Sequence, residues 1–324
     1  MPFDTQEQSA SVERRPDRDI AAIRRFTGDM REKLIREGPY DFLYAPQSDQ
    51  SLFHYTDLGG LHGIVNSSDL WLTHSRYSND DEEMFHGYRV ARDLIKENER
   101  THQNEPARIE YLKAVRKLLQ EPVPEDVYIC CFCKTDDLLS QWRSYGANGT
   151  GVSIEFDPMG FAEASEPDSL RCGLMWLWKV YYDPREQRKL LDHALNFGFD
   201  HEKGQQIPKE AARRAADAIE FFIPTFKNKD FAEESEYRLI FTPSTDCPVC
   251  PQFRVAREML VPYYSLRELT SEFSKSGGLL PIRGVRIGPS VQKDLNVESA
   301  KLLLRKARYP EHVKVGSSDT PYRG

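Results

Sequence analysis

Residues 127–132 read Val-Tyr-Ile-Cys-Cys-Phe, an apolar run without a polar interruption. Successive side chains of a strand point to opposite sides, so a strand that is apolar at every position is one covered on both faces. The pattern predicts a central buried strand, with other elements packed on either side of it. Val152, Ile154 and Phe156 alternate with Ser153 and Glu155, the pattern of a strand buried on one face only. Shorter β-prone segments are expected at 52–56, 70–72, 180–182, 237–241, 253–261, 285–287 and 312–315.

Helical spacing separates these strands. Leu58, Leu61, Ile64 and Val65 share a face behind Asp57, a good N-cap. Met84, Phe85, Tyr88, Ala91 and Ile95 form one stripe, and Ile109, Leu112, Val115 and Leu119 another. A short helix is expected from Leu138 to Tyr145, closed by Gly146, with further helices over 186–197, 208–226 and 297–307. Strands and helices intermingle without regular βαβ alternation and without an internal repeat. The fold expected is α+β: a single domain over 49–324 with a mixed, mostly antiparallel sheet flanked by helical insertions. A mobile arm (1–18) and a helical extension (19–48) precede it, the latter built on Ile20, Ile23, Phe26, Met30 and Leu34.

Composition removes several functional classes. A net charge of -7 over 324 residues argues against a basic nucleic-acid coat. The sequence has no apolar run of membrane-spanning length, and its first residues are polar, which together point to the cytoplasm and away from membranes. The cysteines fall as Cys130, Cys131 and Cys133, a lone Cys172, and Cys247 with Cys250. That scatter reads as reduced thiols, and the single Cys-x-x-Cys does not complete a zinc site. No metal is expected.

Four constellations carry side chains suited to chemistry. His54-Tyr55-Thr56 ends a strand just before a helix N-terminus, where side chains and free N–H groups meet a phosphate or ribose. Asn79-Asp80-Asp81-Glu82-Glu83 reads as a helix start, with Asp80 as cap and Glu83 as its capping-box partner. Gln141, Trp142 and Tyr145 share one short amphipathic helix; Trp142 suits a core anchor, and Gln141 is the better functional candidate. In Phe231-Ala232-Glu233-Glu234-Ser235-Glu236-Tyr237-Arg238, alternation at a strand entrance turns Glu234, Glu236 and Arg238 to one side. An arginine there keeps a neighbouring carboxylate ionised, and the same run also suits a surface salt-bridge ladder.

In order, these landmarks with Leu70-Trp71-Leu72, Tyr77-Ser78-Asn79-Asp80, Cys131-Phe132-Cys133, Ile287-Gly288-Pro289 and the terminal Pro321-Tyr322-Arg323 form a likeness. From about residue 50 to the C-terminus the chain resembles the bacterial family catalogued as domain of unknown function 2971 (DUF2971). More remotely, a strand bearing His-x-Thr, a Leu-x-x-Ile helix and a late glutamate entering a strand are similar to the ADP-ribosyltransferase superfamily. That resemblance implies an ADP-ribosyltransferase-like fold and NAD as co-substrate, cleaved at its nicotinamide–ribose bond. His54 and Thr56 would hold NAD, Tyr77 would pack on nicotinamide, and Glu236 or else Glu234 would be the catalytic carboxylate. The wider ligand-binding set is His54, Tyr55, Thr56, Tyr77, Asn79, Gln141, Trp142, Tyr145 and Arg238.

The resemblance also implies a toxin or defence role, with protein, nucleic acid, a small molecule or water as acceptor. Two other classes use the same residues. A non-catalytic module would bind a nucleotide or a protein through the cleft and tolerate loss of Glu236. A hydrolase of nucleotides or nucleic acid would hold a divalent cation with Asp80, Glu83 and Glu234.

Overall fold

The computed structural model describes residues 50–77, 83–119, 127–166, 168–200, 209–256, 258–275 and 278–321. The expected N-terminal arm and helical extension, Asn79 with Asp80, and Tyr322 with Arg323 lie outside the described residues.

The first strand, β1 (Leu52–Thr56), runs directly into α1 (Leu58–Ser67). Asp57 caps that helix, its Oδ1 accepting from the Gly60 N–H at 2.6 Å and so satisfying a first-turn donor. Next come β2 (Trp71–His74), a 3-10 turn (Ser75–Tyr77), and the helices α2 (Glu83–Thr101) and α3 (Pro106–Leu118). The middle of the chain holds β3 (Tyr128–Cys133), α4 (Leu139–Ser144), β4 (Val152–Phe156), α5 (Pro158–Ala164) and β5 (Leu174–Lys179). Two long helices, α6 (Pro184–Asp200) and α7 (Lys209–Phe222), precede a 3-10 segment (Lys229–Glu234) and β6 (Glu236–Thr242). The last part comprises β7 (Gln252–Ala256), β8 (Met259–Ser265), α8 (Leu266–Leu269), α9 (Glu272–Lys275), β9 (Ile282–Ile287), α10 (Lys293–Lys306) and β10 (Lys314–Ser317).

The ten strands join one open mixed sheet with helices on its flanks, a single α+β domain. Among the described residues every strand pairing is antiparallel except that of β9 with β10. Ile129 packs into one hydrophobic core, with Leu94 and Ile95 of α2, Leu112 and Val115 of α3, Leu191 of α6 and Phe222 of α7. Tyr128, Cys130 and Phe132 point the other way, into a core built with Leu61 and Val65 of α1, Phe161 of α5 and Leu304 of α10. Both faces of β3 are therefore covered, which is why its sequence is apolar throughout.

What positions the site is the way β3 shares its edges. One edge pairs with β6 along its whole length, from Tyr128↔Phe241 to Cys133↔Glu236. The other is divided: β2 holds the beginning through His74↔Tyr128 and Thr73↔Ile129, and β1 holds the end through Phe53↔Cys133. Between those contacts β1 and β2 part, and the middle of β3 has no strand on that side. A backbone carbonyl in such a gap needs another donor. The Cys131 carbonyl finds one in His54, whose Nδ1 lies 2.8 Å away.

Three expectations need correction. The segment 180–182 is not a strand: the strand is 174–179, which pairs with β6 from Leu174↔Thr242 to Lys179↔Tyr237. Tyr181 lies beyond that ladder and makes a single parallel bridge to Phe226. The expected strand 253–261 is a hairpin of β7 and β8, turning at Glu258 in the left-handed region (φ 63). Its turn is hidden in sequence because Arg257-Glu258 lacks the glycine or asparagine that marks a positive φ. Finally, Cys172 and Cys247 form a disulfide across 75 residues, where the sequence reads as six reduced thiols; pairing follows from spatial approach, which spacing does not encode. Among the described residues no helix is long and apolar enough to cross a membrane.

Candidate functional site

A cavity of about 480 Å³ opens where β1 and β2 part. His54 and Tyr55 of β1, Trp71, Thr73 and His74 of β2, Tyr77, and residues 129–133 of β3 line one part of it. Gln141 and Tyr145 from α4 and its end, Lys227, Phe231 and Glu234 from the approach to β6, Glu236 and Arg238 of β6, and Arg254 of β7 line the remainder.

His54 is held in one tautomer. A carbonyl oxygen only accepts, so Nδ1 carries the proton given to Cys131 O, and Nε2 is left as the ring's acceptor. Burial lowers the His54 pKa, and the bond to the Cys131 carbonyl offsets part of that shift. The imidazole is therefore neutral at neutral pH. Phe132 meets it edge to face at 5.8 Å.

Opposite His54 stands a cluster of two carboxylates and two cations. Arg238 holds Glu236 by two hydrogen bonds, Nε to Oε1 at 2.8 Å and Nη2 to Oε2 at 2.9 Å. Its remaining arm donates from Nη1 to the Pro224 carbonyl at 2.7 Å. Lys227 Nζ lies 3.2 Å from Glu236 Oε2 and 2.5 Å from Glu234 Oε2. Burial opposes the Glu236 charge, but the charge and hydrogen bonds of Arg238, then Lys227 and the Cys131 thiol, outweigh it and hold the carboxyl at about 2. Both Glu236 oxygens are thus engaged, while Glu234 is the more open of the pair, its side chain 17% exposed against 6%. The formal charges of the four groups cancel, so a ligand meets an oriented dipole and no net charge.

Glu234 does not reach the cluster by strand alternation. β6 begins only at Glu236; Glu234 ends the preceding 3-10 segment, and Ser235, left-handed at φ 44, turns the chain between them. Burial, with Glu234 beside it, pushes the Tyr145 phenol up to about 12, so it stays a hydrogen-bond donor. Gln141 is buried with its Oε1 3.3 Å from the Cys133 thiol.

Of the residues singled out from sequence, His54, Tyr55, Tyr77, Gln141, Tyr145, Glu234, Glu236 and Arg238 line this cavity. Tyr55 spends its hydroxyl on the loop before α4, donating to Thr135 O and accepting from Leu138 N. Thr56 and Trp142 do not line the cavity. Thr56 packs against Gly60, where an added methyl would stand 2.0 Å from its Oγ1. Trp142 is fully buried, edge-on to Tyr55 at 4.8 Å, with its indole N–H given to Asp137 Oδ1 at 2.7 Å. Asn79 lies outside the described residues.

Sequence reasoning missed Lys227, Trp71, His74, Phe231 and Arg254. Lys227 had a signal, a cation closing the apolar run Phe221-Phe222-Ile223-Pro224-Thr225-Phe226. Arg254 had none: it lies on β7, which β8 separates from β2, and its side chain reaches across β8, where Nη2 donates to Thr73 Oγ1 at 3.3 Å and the guanidinium lies 5.9 Å from the Trp71 ring. Trp71 stacks in turn on Tyr263 at 4.4 Å, making a flat aromatic rim. Among the described residues no group of three or more His, Cys, Asp or Glu side chains is arranged to hold a metal ion.

No curated protein and no solved structure matches the chain. Residues 141–239 match the model of a family described as Protein of unknown function (DUF2971). The match is shorter than the stretch over which the ordered motifs resemble that family, and it begins at Gln141 and takes in Tyr145, Lys227, Glu234, Glu236 and Arg238. The chain is therefore similar to DUF2971 over the segment that supplies the charged wall of its cavity.

Proposed function

We propose that the cavity binds NAD and that the protein is an ADP-ribosyltransferase or NAD glycohydrolase of bacterial toxin or defence type; a cytoplasmic site of action would require the Cys172–Cys247 pair to be reduced there. The observation that carries this reading is that His54 and the Glu234/Glu236 pair, remote in sequence, line one cavity. The residues fit a nucleotide: Trp71 with Tyr77 offers flat faces, His54 Nε2 and Glu234 offer acceptors for ribose hydroxyls, and Arg254 offers a cation at the rim. The volume of about 480 Å³ lies within the range of roughly 300–1,000 Å³ usual for small-molecule sites.

In this reading the nicotinamide–ribose bond breaks with its electron pair leaving on the ring nitrogen, and positive charge grows on the ribose carbon. Glu234 faces that charge, a preorganised anion in a partly water-excluded site. Glu236 does not touch the ligand; it fixes Lys227 and Arg238, and through Lys227 it orients Glu234. The acceptor, or water, supplies the electron pair of the new bond and loses a proton, for which Glu234 is the nearest base.

A second reading rests on the same geometry. Both oxygens of Glu236 are engaged and the formal charges cancel, which favours a module that binds a nucleotide without turning it over. The two are separated by measuring NAD binding and nicotinamide release for the wild type, Glu234→Gln and Glu236→Gln. Release abolished in Glu234→Gln with NAD still bound is the result expected. Binding without release in the wild type selects the module, and absence of both rejects the NAD reading.

A further inference from the structure

The Cys-x-x-Cys run Cys247-Pro248-Val249-Cys250 does not line the cavity described above. Its first cysteine is bonded to Cys172, and its second is a free, exposed thiol. We infer that Cys250 is the site at which a low-molecular-weight disulfide reacts with the protein, and that it passes the oxidation on to Cys247 and Cys172. The inference stands apart from the NAD reading and uses none of its residues.

Burial sets where the sequence of reactions begins. Cys172 and Cys247 are half-buried and pack against the core that holds Phe161 and Leu304, whereas Cys250 is exposed. Thiol–disulfide exchange needs access for the incoming sulfur, so a reagent in solution meets Cys250 first. Cys247 and Cys250 are three residues apart, at most about 10 Å even in an extended chain. The chain bends at Pro248 and Val249, which keeps Cys250 within reach of Cys247.

The sheet sets where the sequence of reactions ends. Cys172 lies two residues before β5 and is held against the end of β6, where Leu174 pairs with Thr242. Gly173 is left-handed there at φ 71, and a methyl on it would stand 2.4 Å from the Thr242 carbonyl oxygen, so glycine alone lets the backbone come that close. On the other side a turn over Ser244–Cys247, closed by the Cys247 N–H donating to the Ser244 carbonyl at 3.0 Å, returns the chain to Cys172. The two Cα atoms stand 5.1 Å apart, inside the range of roughly 4.4–6.8 Å that a disulfide spans. Cys172 and Cys247 are therefore the pair that the folded chain holds ready.

Starting from three thiols, the Cys250 thiolate attacks one sulfur of the reagent RSSR, forming a mixed disulfide and expelling RS⁻. The Cys247 thiolate attacks the Cys250 sulfur; the Cys247–Cys250 bond forms and the second RS⁻ leaves. The Cys172 thiolate then attacks the Cys247 sulfur, and Cys250 departs as a thiolate while the Cys172–Cys247 bond forms. Two protein thiols are oxidised, one RSSR is reduced to two RSH that take up their protons, and Cys250 is regenerated. Closure pins the connection from β6 to β7, and β7 carries Arg254 to the cavity rim.

The test mixes the reduced full chain with oxidised glutathione, stops the reaction at intervals by alkylation, and maps the cysteines by peptide mass. In the wild type, glutathione is expected first on Cys250 and then lost as Cys172–Cys247 forms. Cys250→Ser should close the same pair roughly tenfold more slowly, since it lacks the thiol whose attack on the pair is intramolecular. It should still reach half-closure at the wild-type ratio of oxidised to reduced glutathione, because a relay is absent from the net reaction; a variant that merely loosened the fold would shift that ratio. Cys172→Ser should stop at Cys247–Cys250. Closure of Cys250→Ser at the wild-type rate, glutathione retained on Cys250 while Cys172 and Cys247 stay reduced, or Cys247–Cys250 as the final bond of the wild type overturns the proposal.

Discussion

Arg238 grips Glu236, two positions earlier on the same strand, through both oxygens of its carboxylate, at 2.8 and 2.9 Å. The pair is almost completely buried. Removing one partner of such a pair leaves a buried charge uncompensated, which costs about 3–5 kcal/mol. Arg238→Leu is therefore expected to destabilise by that amount in urea unfolding. Glu234→Gln, in a more open position and leaving Lys227 paired with Glu236, should cost less than Arg238→Leu. Equal losses for the two would show that the cluster acts as one unit around Lys227.

Stability should fall as the solution is acidified, in two windows. The His54 pKa is lowered by burial from 6.5, so below that value the unfolded chain binds the extra proton first and stability drops. Glu236 is depressed from 4.5 to about 2; its contribution is complete above 4.5 and is lost as pH falls toward 2. On the alkaline side, burial raises the Cys130 thiol from 9.0 to about 12, so stability declines between those values as the unfolded thiol ionises first. Urea titrations across pH check all three, and His54→Ala should flatten the step that begins near 6.5.

Asp137 ties the C-terminal segment to α4, the helix that carries Gln141. Its carboxylate accepts from Ser318 Oγ at 2.5 Å, Thr320 Oγ1 at 2.9 Å and Trp142 Nε1 at 2.7 Å. Asp137→Ala leaves these donors without their acceptor, a loss of about 1–3 kcal/mol. Hydrogen exchange should accelerate in β10 and residues 318–321, and any ligand that uses Gln141 or Tyr145 should bind more weakly.

The Cys172–Cys247 bond is tested by alkylating the unfolded protein and weighing it. Four labels are expected before reduction, on Cys130, Cys131, Cys133 and Cys250, and six after it. Reduction should lower stability by about 2–4 kcal/mol, since the bond closes a long loop of the unfolded chain. Six labels without reductant would mean that the pair is open, as a reducing compartment would keep it.

Much of the architecture was legible where a signal is local. The apolar run of β3, the position of β4 and the Asp57 cap depend on backbone periodicity and near neighbours, and they lie where the sequence reads them; Ser153, expected on an open face of β4, is buried because both faces of that strand are covered. Leu174–Lys179 was missed because it is a strand by virtue of β6, more than fifty residues on. The segment 180–182 is equally β-prone, but its ladder to β6 stops at Val180, whose N–H donates to the Glu236 carbonyl at 2.8 Å, because β6 begins at Glu236.

At the site, the amino-acid sequence by itself determined which side chains were available: His54 on a β-prone segment, and a carboxylate pair beside an arginine; the expectation that His54 ends its strand is corrected, since it is the middle residue of β1. The tertiary structure decided which of them meet and in what roles. The parting of β1 and β2 over β3 made the cavity, and placed His54 Nδ1 on a carbonyl that no strand reaches. The left-handed turn at Ser235 put Glu234 on a turn and Glu236 in the sheet, a distinction that strand periodicity does not contain. Arg254 and the partner of Cys172 became visible only with the chain closed, because a cross-strand contact or a disulfide is specified by approach in space, and residues remote in sequence leave no periodic trace of it.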